Sequence, residues 1–305
     1  FNCLGKIGMS SHSSKLPQPS RSWWQKHQRQ MAPWLFLAPV MLLFFVYVIA
    51  PIFQSISISF YEWDGLGEKK WIGFDNYQEL WTDNDFWLSA KNNVIWFFGF
   101  LLAVPIGLAL ALFLNQKVFG MKAMKSLFFF PFVISQVVIG LIFSWFYNPS
   151  IGFLGFAILG DEDWVTYGIV VAGLYPQIAY TMILYLTGLN NLRPDLIEAA
   201  RLEGAKGWSM LWHVILPQLR PATFIAVVVT IIGSLRSFDM VSIMTSGGPY
   251  GQSRVLAYYM YEKSLSEYGY RMGYGTAIAT ILFLVMLIYI LYFVYRIYQQ
   301  EKESA

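Results

Sequence analysis

The chain has 305 residues, of which 56% are hydrophobic and 13% are charged, and its formal net charge is +3. Soluble domains contain about 25% charged residues, so this composition excludes an ordinary water-soluble domain and is typical of a protein with several membrane spans. The single cysteine, Cys3, excludes an internal disulfide and a thiolate metal cluster.

The amino-terminal segment, residues 1–33, is basic and is predicted to lie in the cytoplasm. A stretch from Lys15 to Arg29 precedes a long apolar run with no small-residue cleavage site, which argues against a secretory signal. The simplest interpretation is a solvated tail that sets the orientation of the first span. An interfacial helix, with Trp23 and Trp24 in the lipid headgroups, is the alternative.

Long apolar runs in residues 34–297 predict an all-α membrane domain with six transmembrane helices, because about 20 apolar residues suffice to cross a bilayer. Every backbone N–H and C=O group in hydrocarbon needs an internal partner, so each run should be helical. Prolines inside the runs predict kinks rather than helix ends. The predicted spans are Trp34–Phe60, Val94–Leu114, Ser126–Tyr147, Trp164–Leu189, Ala222–Met244 and Tyr274–Tyr295.

Lysine and arginine residues predict the orientation of these spans. The termini and loops on one side contain 14 of them, and the loops on the other side contain 6. Basic residues are enriched on the cytoplasmic side of membrane proteins. Both termini, including a short tail at residues 298–305, are therefore expected in the cytoplasm.

The loop between the fourth and fifth spans, residues 190–217, is predicted to form two helices joined by a turn. Pro194 suits a first helical position, and the acidic Asp195 favours the positive end of a helix. Gly204 can adopt the left-handed conformation that ends a helix. Pro217 should end the second helix.

Six residues of this loop resemble the EAA loop of binding-protein-dependent ABC importer permeases. The family pattern is E-A-A, three residues, G, nine residues, then I-x-L-P, and this chain departs from it only at Val214. The matching residues are Glu198, Ala199, Ala200, Gly204, Leu216 and Pro217. The resemblance implies a type I importer permease fold in which this loop is the coupling helix that docks in a groove of an ATP-binding subunit. An ordinary cytoplasmic hairpin would have to match all six positions by chance.

Two further segments, Gly73–Tyr77 and Phe238–Pro249, are similar to stretches of the sugar-permease branch related to maltose and glycerol-phosphate permeases. The chain lacks the large external domain of the maltose permease subunit and resembles the shorter six-span relatives. The resemblance implies import of a sugar or sugar-like polyol across a bacterial cytoplasmic membrane. It also implies a second permease subunit, two ATP-binding subunits that bind ATP and Mg²⁺, and an extracytoplasmic solute-binding protein. No nucleic-acid partner is expected.

Polar side chains inside the spans mark candidate substrate-binding residues, because such groups are costly in hydrocarbon. The candidates are Gln136 in the third span, Gln177 and Tyr180 on one face of the fourth, and Thr230, Ser234 and Ser237 on one face of the fifth. One interpretation is hydrogen bonding between helices. The other is a polar pocket in which Tyr180 or Trp145 stacks on a sugar ring. The residues alone leave both open, and the resemblance favours the pocket because these two helices line the sugar site in maltose-type permeases.

Arg236 and Asp239 are the opposite charges inside a predicted span, and their spacing permits an ion pair on a helix. They are near the outer end, where an interfacial pair is the ordinary interpretation. The alternative is a clamp on sugar hydroxyls.

Nothing in the sequence predicts an enzyme. It contains no G-x-x-x-x-G-K-[ST] motif, and its three histidines, His12, His27 and His213, are far apart in the sequence and outside the spans. An amino-acid or peptide importer permease would share the EAA loop, but it favours carboxylate-binding arginines and only Arg236 is available. An intramembrane enzyme or a channel would need a catalytic cluster or a filter-like repeat, which the sequence does not provide.

Overall fold

The computed structural model describes residues 23–116, 118–153, 155, 157–266 and 270–304. These residues are mostly helical, with one antiparallel ribbon in which strand β1 (Tyr61–Glu62) pairs with strand β2 (Lys70–Trp71). The chain divides between Phe53 and Gln54 into two compact units.

The α-helices in the described part of the chain are α1 (Trp23–Phe44), α2 (Ala50–Ile58), α3 (Asp75–Thr82), α4 (Asn84–Leu101), α5 (Ala103–Leu114), α6 (Met121–Val133), α7 (Gln136–Phe146), α8 (Val165–Asn190), α9 (Pro194–Leu202), α10 (Gly207–Met210), α11 (Leu216–Gln218), α12 (Arg220–Leu235), α13 (Phe238–Met244), α14 (Leu256–Leu265) and α15 (Met272–Ser304). Two π-helical turns, Phe45–Ile49 and Leu211–Ile215, and a 3-10 turn, Ile158–Gly160, complete the helical structure of these residues.

The first unit contains α1, which runs unbroken through the predicted boundary at residue 33. Residues 1–22 of the basic segment, and the side chains of Trp23 and Trp24, lie outside the described part of the chain. The solvated tail and the interfacial helix therefore both stay predictions. Residues 35–47 are exposed along their whole length. At the other end of the chain, α15 continues through the predicted tail as far as Ser304.

Four helices among the described residues are long and apolar enough to cross a membrane. They are Met31–Ile58, Asn84–Leu114, Val165–Asn190 and Met272–Gln299, and they overlap the predicted first, second, fourth and sixth spans. The helical, multi-span character of the chain is thereby confirmed. Pro105 explains a one-residue interruption at Leu102 in the second of these helices, because it offers no N–H to the carbonyl of Leu101.

The third predicted span is not a continuous helix, and the prediction was wrong on this point. Helices α6 and α7 are bent by 97° at Ile134 and Ser135, whose backbones are extended. The Ser135 hydroxyl accepts a hydrogen bond from the N–H of Val138 (3.4 Å) and so begins a new helix.

The fifth predicted span is also broken, because α12 ends at Leu235 and α13 starts at Phe238. Serine hydroxyls compete with the backbone for helix carbonyls, and Ser237 donates to the carbonyls of Gly233 and Ser234 (3.1 and 3.0 Å). The segment Gly207–Gln218 and α12 form a second bent pair, at 73°. Six spans result if each bent pair crosses the membrane once, so the number of spans and their orientation stay predictions.

Helices α5 and α8 pack closely against each other in the second unit. Ala103, Gly107 and Ala111 are buried at a four-residue spacing along α5, and small residues at this spacing let two helices approach closely. The Thr181 hydroxyl of α8 donates to the Ala103 carbonyl (2.8 Å). This contact fixes α8, which carries two of the candidate site residues.

Candidate functional site

The loop between α8 and α12 is a helical hairpin, as predicted. Pro194 occupies the first position of α9, and Asp195 lies in its first turn. Gly204 follows the helix with φ +89°, the left-handed conformation that glycine adopts without strain. The second arm ends at Gln218, one residue after Pro217. The predicted helix, turn and helix are therefore confirmed.

Helix α9 presents its side chains to the surroundings. Glu198 and Ala199 are exposed and Ala200 is half-buried. Leu202, the last residue of α9, is 90% exposed. Leu216 and Pro217, the last two motif residues, lie in the short helix α11, where Leu216 is half-buried and Pro217 is exposed. Such an arrangement offers a compact surface with an apolar edge to another protein.

A polar contact joins α8 to α12 at the predicted candidate residues. The Gln177 amide donates to the hydroxyl of Thr230 (2.9 Å), and Thr230 is fully buried. Gly233, one turn further along α12, faces the same glutamine, since an added Cβ there would lie 3.5 Å from Gln177 Oε1. Gln177 itself is partly exposed, so its amide can still bind a polar ligand on its open side.

Tyr180 lies one turn from Gln177 and is partly exposed. Its ring stacks on Phe132 of α6 with a centroid distance of 4.9 Å and an interplanar angle of 13°. Trp145, the other aromatic residue considered for stacking, is 52% exposed near the end of α7. Tyr180 and Phe132 therefore form an aromatic pair between α8 and α6, one turn along α8 from Gln177.

The remaining candidates have different surroundings. Ser234 and Ser237 are buried, and both donate to carbonyls of α12, Ser234 to Ile231 (2.8 Å) and Ser237 to Gly233 (3.1 Å). Gln136 is exposed at the start of α7. The structure thus joins Gln177 to Thr230 and places Tyr180 one turn from Gln177 on α8, while the two serines have internal partners. The role of all six in substrate binding remains a prediction.

Arg236 and Asp239 are both described, and no ion pair joins them. The cause is the helix break, because Arg236 ends α12 and Asp239 lies in the first turn of α13. Both side chains are exposed. The possible pairing on one helix is therefore not formed.

A polar network at the other end of the second unit was missed by the sequence analysis. The hydroxyls of Tyr259 (2.5 Å) and Tyr274 both donate to the Asp83 carboxylate. Arg254 forms ion pairs with Asp85 (3.1 Å) and Glu262 (2.7 Å). These partners are separated by as many as 191 residues in the sequence, so no local spacing could have predicted them.

Hydrogen bonding sets the ionisation of this network. Burial opposes the charge on Asp83, but the hydrogen bonds from the two tyrosines and from backbone N–H groups outweigh it and hold the pKa of this carboxyl below its usual range. Burial, together with the neighbouring Asp83 carboxylate, raises the pKa of the Tyr259 hydroxyl. The tyrosines are therefore donors and Asp83 is an anion at neutral pH.

The described residues contain no group of three or more His, Cys, Asp or Glu side chains that could hold a metal ion. His213, in the second arm of the hairpin, contacts the Ser209 carbonyl of its own helix through Nδ1 (3.1 Å).

Comparison with known proteins defines the class. Residues 103–303 match the family described as the inner membrane component of binding-protein-dependent transport systems. The chain belongs to this family. It is a multi-pass inner-membrane protein and a permease subunit of an ABC transporter.

Individual relatives extend the match beyond the family region. The probable ABC transporter permease protein YurN of Bacillus subtilis is 32% identical over 85% of this chain and 93% of its own. The multiple sugar-binding transport system permease protein MsmF of Streptococcus mutans is 30% identical over 83% of this chain and 90% of its own. A chain of a bacterial ABC transporter for the acidic polysaccharide alginate superimposes with a TM-score of 0.77 at 22% identity, covering 90% of this chain and 97% of that one. This last likeness confirms the predicted permease fold.

Proposed function

We propose that this chain imports a carbohydrate or a sugar-like polyol across the bacterial cytoplasmic membrane by alternating access. The observation that carries the proposal is the exposed helix α9, which bears the EAA residues between the two helices that hold the Gln177–Thr230 contact. An external protein that moves α9 would move both walls of the candidate pocket.

The energy for this movement would come from two separate ATP-binding subunits, which would bind ATP and Mg²⁺, since this sequence has no phosphate-binding loop of its own. Closure of these subunits on ATP would displace α9 and open the cavity outward, and hydrolysis would reset it. A second permease subunit and an extracytoplasmic solute-binding protein would complete the complex.

The substrate class is supported by the relatives and by the candidate pocket. MsmF is named for sugar transport. Tyr180, whose ring stacks on Phe132, lies one turn from Gln177 along α8. A sugar offers apolar ring faces to aromatic side chains and hydroxyls to amides. An amino-acid substrate would require a cation for its carboxylate, and Arg236 lies exposed at the end of α12, six residues beyond Thr230.

The docking part of the proposal is tested by co-purification. Ala199 is exposed, so Ala199→Trp changes the surface that α9 presents without altering packing inside the chain. We expect Ala199→Trp to release the ATP-binding subunits from the purified complex, because interface cores tolerate overpacking poorly. Ala109→Trp, at an exposed alanine of α5, is the matched control and should retain them. Full retention of the ATP-binding subunits by Ala199→Trp would contradict the proposed docking surface.

A further inference from the structure

Gln218 lies outside the EAA pattern, yet its side chain joins both arms of the hairpin. Its Oε1 accepts a hydrogen bond from the backbone N–H of Arg193 (3.1 Å), the residue that precedes α9. Its Nε2 donates to the carbonyl of Val214 (3.1 Å) in the second arm. A single amide therefore connects the start of the coupling helix to the end of the hairpin, 25 residues away.

The Arg193 N–H is a group that needs such a partner. The first N–H groups of a helix have no intrahelical acceptor, and a residue inside the helix often supplies one through a capping box. Leu196, the third residue of α9 and the position from which a capping-box side chain reaches back, has no hydrogen-bond acceptor in its side chain. The acceptor is supplied instead by Gln218, which makes the position of α9 depend on the second arm.

The second arm is held in an uncommon conformation at the point where Gln218 contacts it. The π-helical turn Leu211–Ile215 ends two residues before Pro217, and the π-helical turn Phe45–Ile49 ends two residues before Pro51. A proline removes one N–H and displaces the carbonyl of the preceding turn, so a wider turn before it is a physical consequence. The Gln218 amide donates into this wider turn and stabilises it.

The base of the hairpin is anchored in the core. Leu219, the next residue, is 1% exposed and packs with Tyr185, Leu189 and Ala226. Immediately afterwards α12 begins, bent by 73° from the second arm. Gln218 therefore stands between a buried anchor and the exposed helix α9.

We propose that Gln218 is a positioning residue that makes α9 and α12 move as one body, so that a displacement imposed on α9 reaches the helix that carries Thr230. This inference rests on the proposed function of α9 as the coupling helix. Without the Gln218 amide, α9 can rotate relative to α12. Less substrate is then transported for each ATP hydrolysed.

The first test measures ATP hydrolysed per carbohydrate molecule imported by the complete complex in proteoliposomes. The probes are labelled glucose, maltose, lactose and glycerol 3-phosphate, each offered with the loaded solute-binding protein. We expect the Gln218→Ala complex to hydrolyse about five times as much ATP per molecule imported as the wild type. This is the factor expected for one hydrogen bond of ordinary strength. Gln218→Glu keeps the acceptor for Arg193 and should recover part of the loss. Gln78→Ala, which removes an exposed amide from α3, should match the wild type.

Two results would overturn the positioning role. One is a Gln218→Ala complex with the wild-type ratio of transport to hydrolysis. The other is a loss of assembly in proportion to the loss of uptake, which would make Gln218 a structural residue only. A Gln218→Glu complex no better coupled than Gln218→Ala would overturn the part assigned to the Arg193 hydrogen bond.

A second measurement does not depend on the substrate. Spin labels at Leu202→Cys and Ile225→Cys, both at exposed positions and with Cys3 replaced by serine, report the distance between α9 and α12. In the purified complex we expect a narrow distance distribution for the labelled protein that retains Gln218 and a broad one for the labelled Gln218→Ala variant. If none of the four probes is imported while this difference is found, the proposed substrate class fails and the role of Gln218 stands. Identical distributions would overturn that role even in a complex that imports sugar.

Discussion

Asp83 illustrates what single residues contribute at the ends of the helices. Its carboxylate accepts hydrogen bonds from Tyr259 and Tyr274 and from the backbone N–H of Asp85, so one side chain begins α4 and also holds α14 and α15. Charged acceptors form stronger hydrogen bonds than neutral ones. The charge on Asp83 therefore contributes to the stability of this end of the second unit.

Asp83→Asn should lower the free energy of unfolding at neutral pH by about 1.5–3 kcal/mol, the range for hydrogen bonds to a charged group. Asparagine caps helices as well as aspartate does, so the change isolates the charge. Because folding lowers the pKa of Asp83 below its ordinary value of 3.8, its contribution is present above that pH and is lost as the pH falls below it. Thermal unfolding of the two proteins in detergent should differ at pH 7 and converge below pH 3.8.

Asp161→Asn is the matched control, because Asp161 also accepts backbone hydrogen bonds, from Asp163 and Trp164. Its free energy of unfolding should lie within about 0.5 kcal/mol of the wild-type value, as is common for surface substitutions. An Asp83→Asn protein as stable as this control at pH 7 would show that the charge contributes nothing.

At the level of helices, the sequence predicted those helix ends that depend on the conformational preference of a single residue. Pro194 and Gly204 gave correct ends to α9 because a fixed φ and a left-handed φ are properties of single residues. The breaks at Ser135 and Ser237 were missed, since a serine in an apolar run is compatible both with a continuous helix and with a new helix start. Which of the two forms depends on the packing of neighbouring helices.

The α5–α8 crossing gives a prediction at this level. A Cβ at Gly107 would lie 2.2 Å from Thr181 Oγ1 and 2.9 Å from the backbone nitrogen of Met182. Gly107→Val should therefore lower stability by about 1–3 kcal/mol, because overpacking forces the helices apart. The thermal midpoint of the purified protein measures this effect.

Ala109→Val provides the comparison, since it adds methyl groups at an exposed position of the same helix. It should leave the midpoint unchanged. Equal effects of the two substitutions would mean that α5 and α8 are not in close contact at Gly107.

For the whole molecule, composition and apolar run lengths predicted a multi-span helical protein, and the EAA spacing predicted the family. Both follow from patterns that a single sequence contains. The contacts around Gln177, Thr230 and Asp83 could not be predicted, because they join side chains that are 53 to 191 residues apart. Only the packing of the helices brings these groups together.

The orientation in the membrane is open to a direct test. Lys206 in the hairpin and Asp75 at the start of α3 are both exposed. In a protein with Cys3 replaced by serine, Lys206→Cys should react with a membrane-impermeant maleimide only from the cytoplasmic side, and Asp75→Cys only from outside. This follows from the bias of basic residues, 14 on one side and 6 on the other. Labelling of Asp75→Cys that requires permeabilised membranes would reverse the orientation.

The central claim is that this chain conducts a carbohydrate when separate subunits hydrolyse ATP. Uptake of labelled sugars by proteoliposomes containing the complete complex tests it most directly, with ATP or a non-hydrolysable analogue inside and with Tyr180→Ala beside the wild type. We predict that uptake requires ATP and the loaded solute-binding protein, and that Tyr180→Ala loses uptake while binding-protein-stimulated hydrolysis persists. Uptake that continues with the analogue, or import of amino acids but no carbohydrate, would contradict the claim.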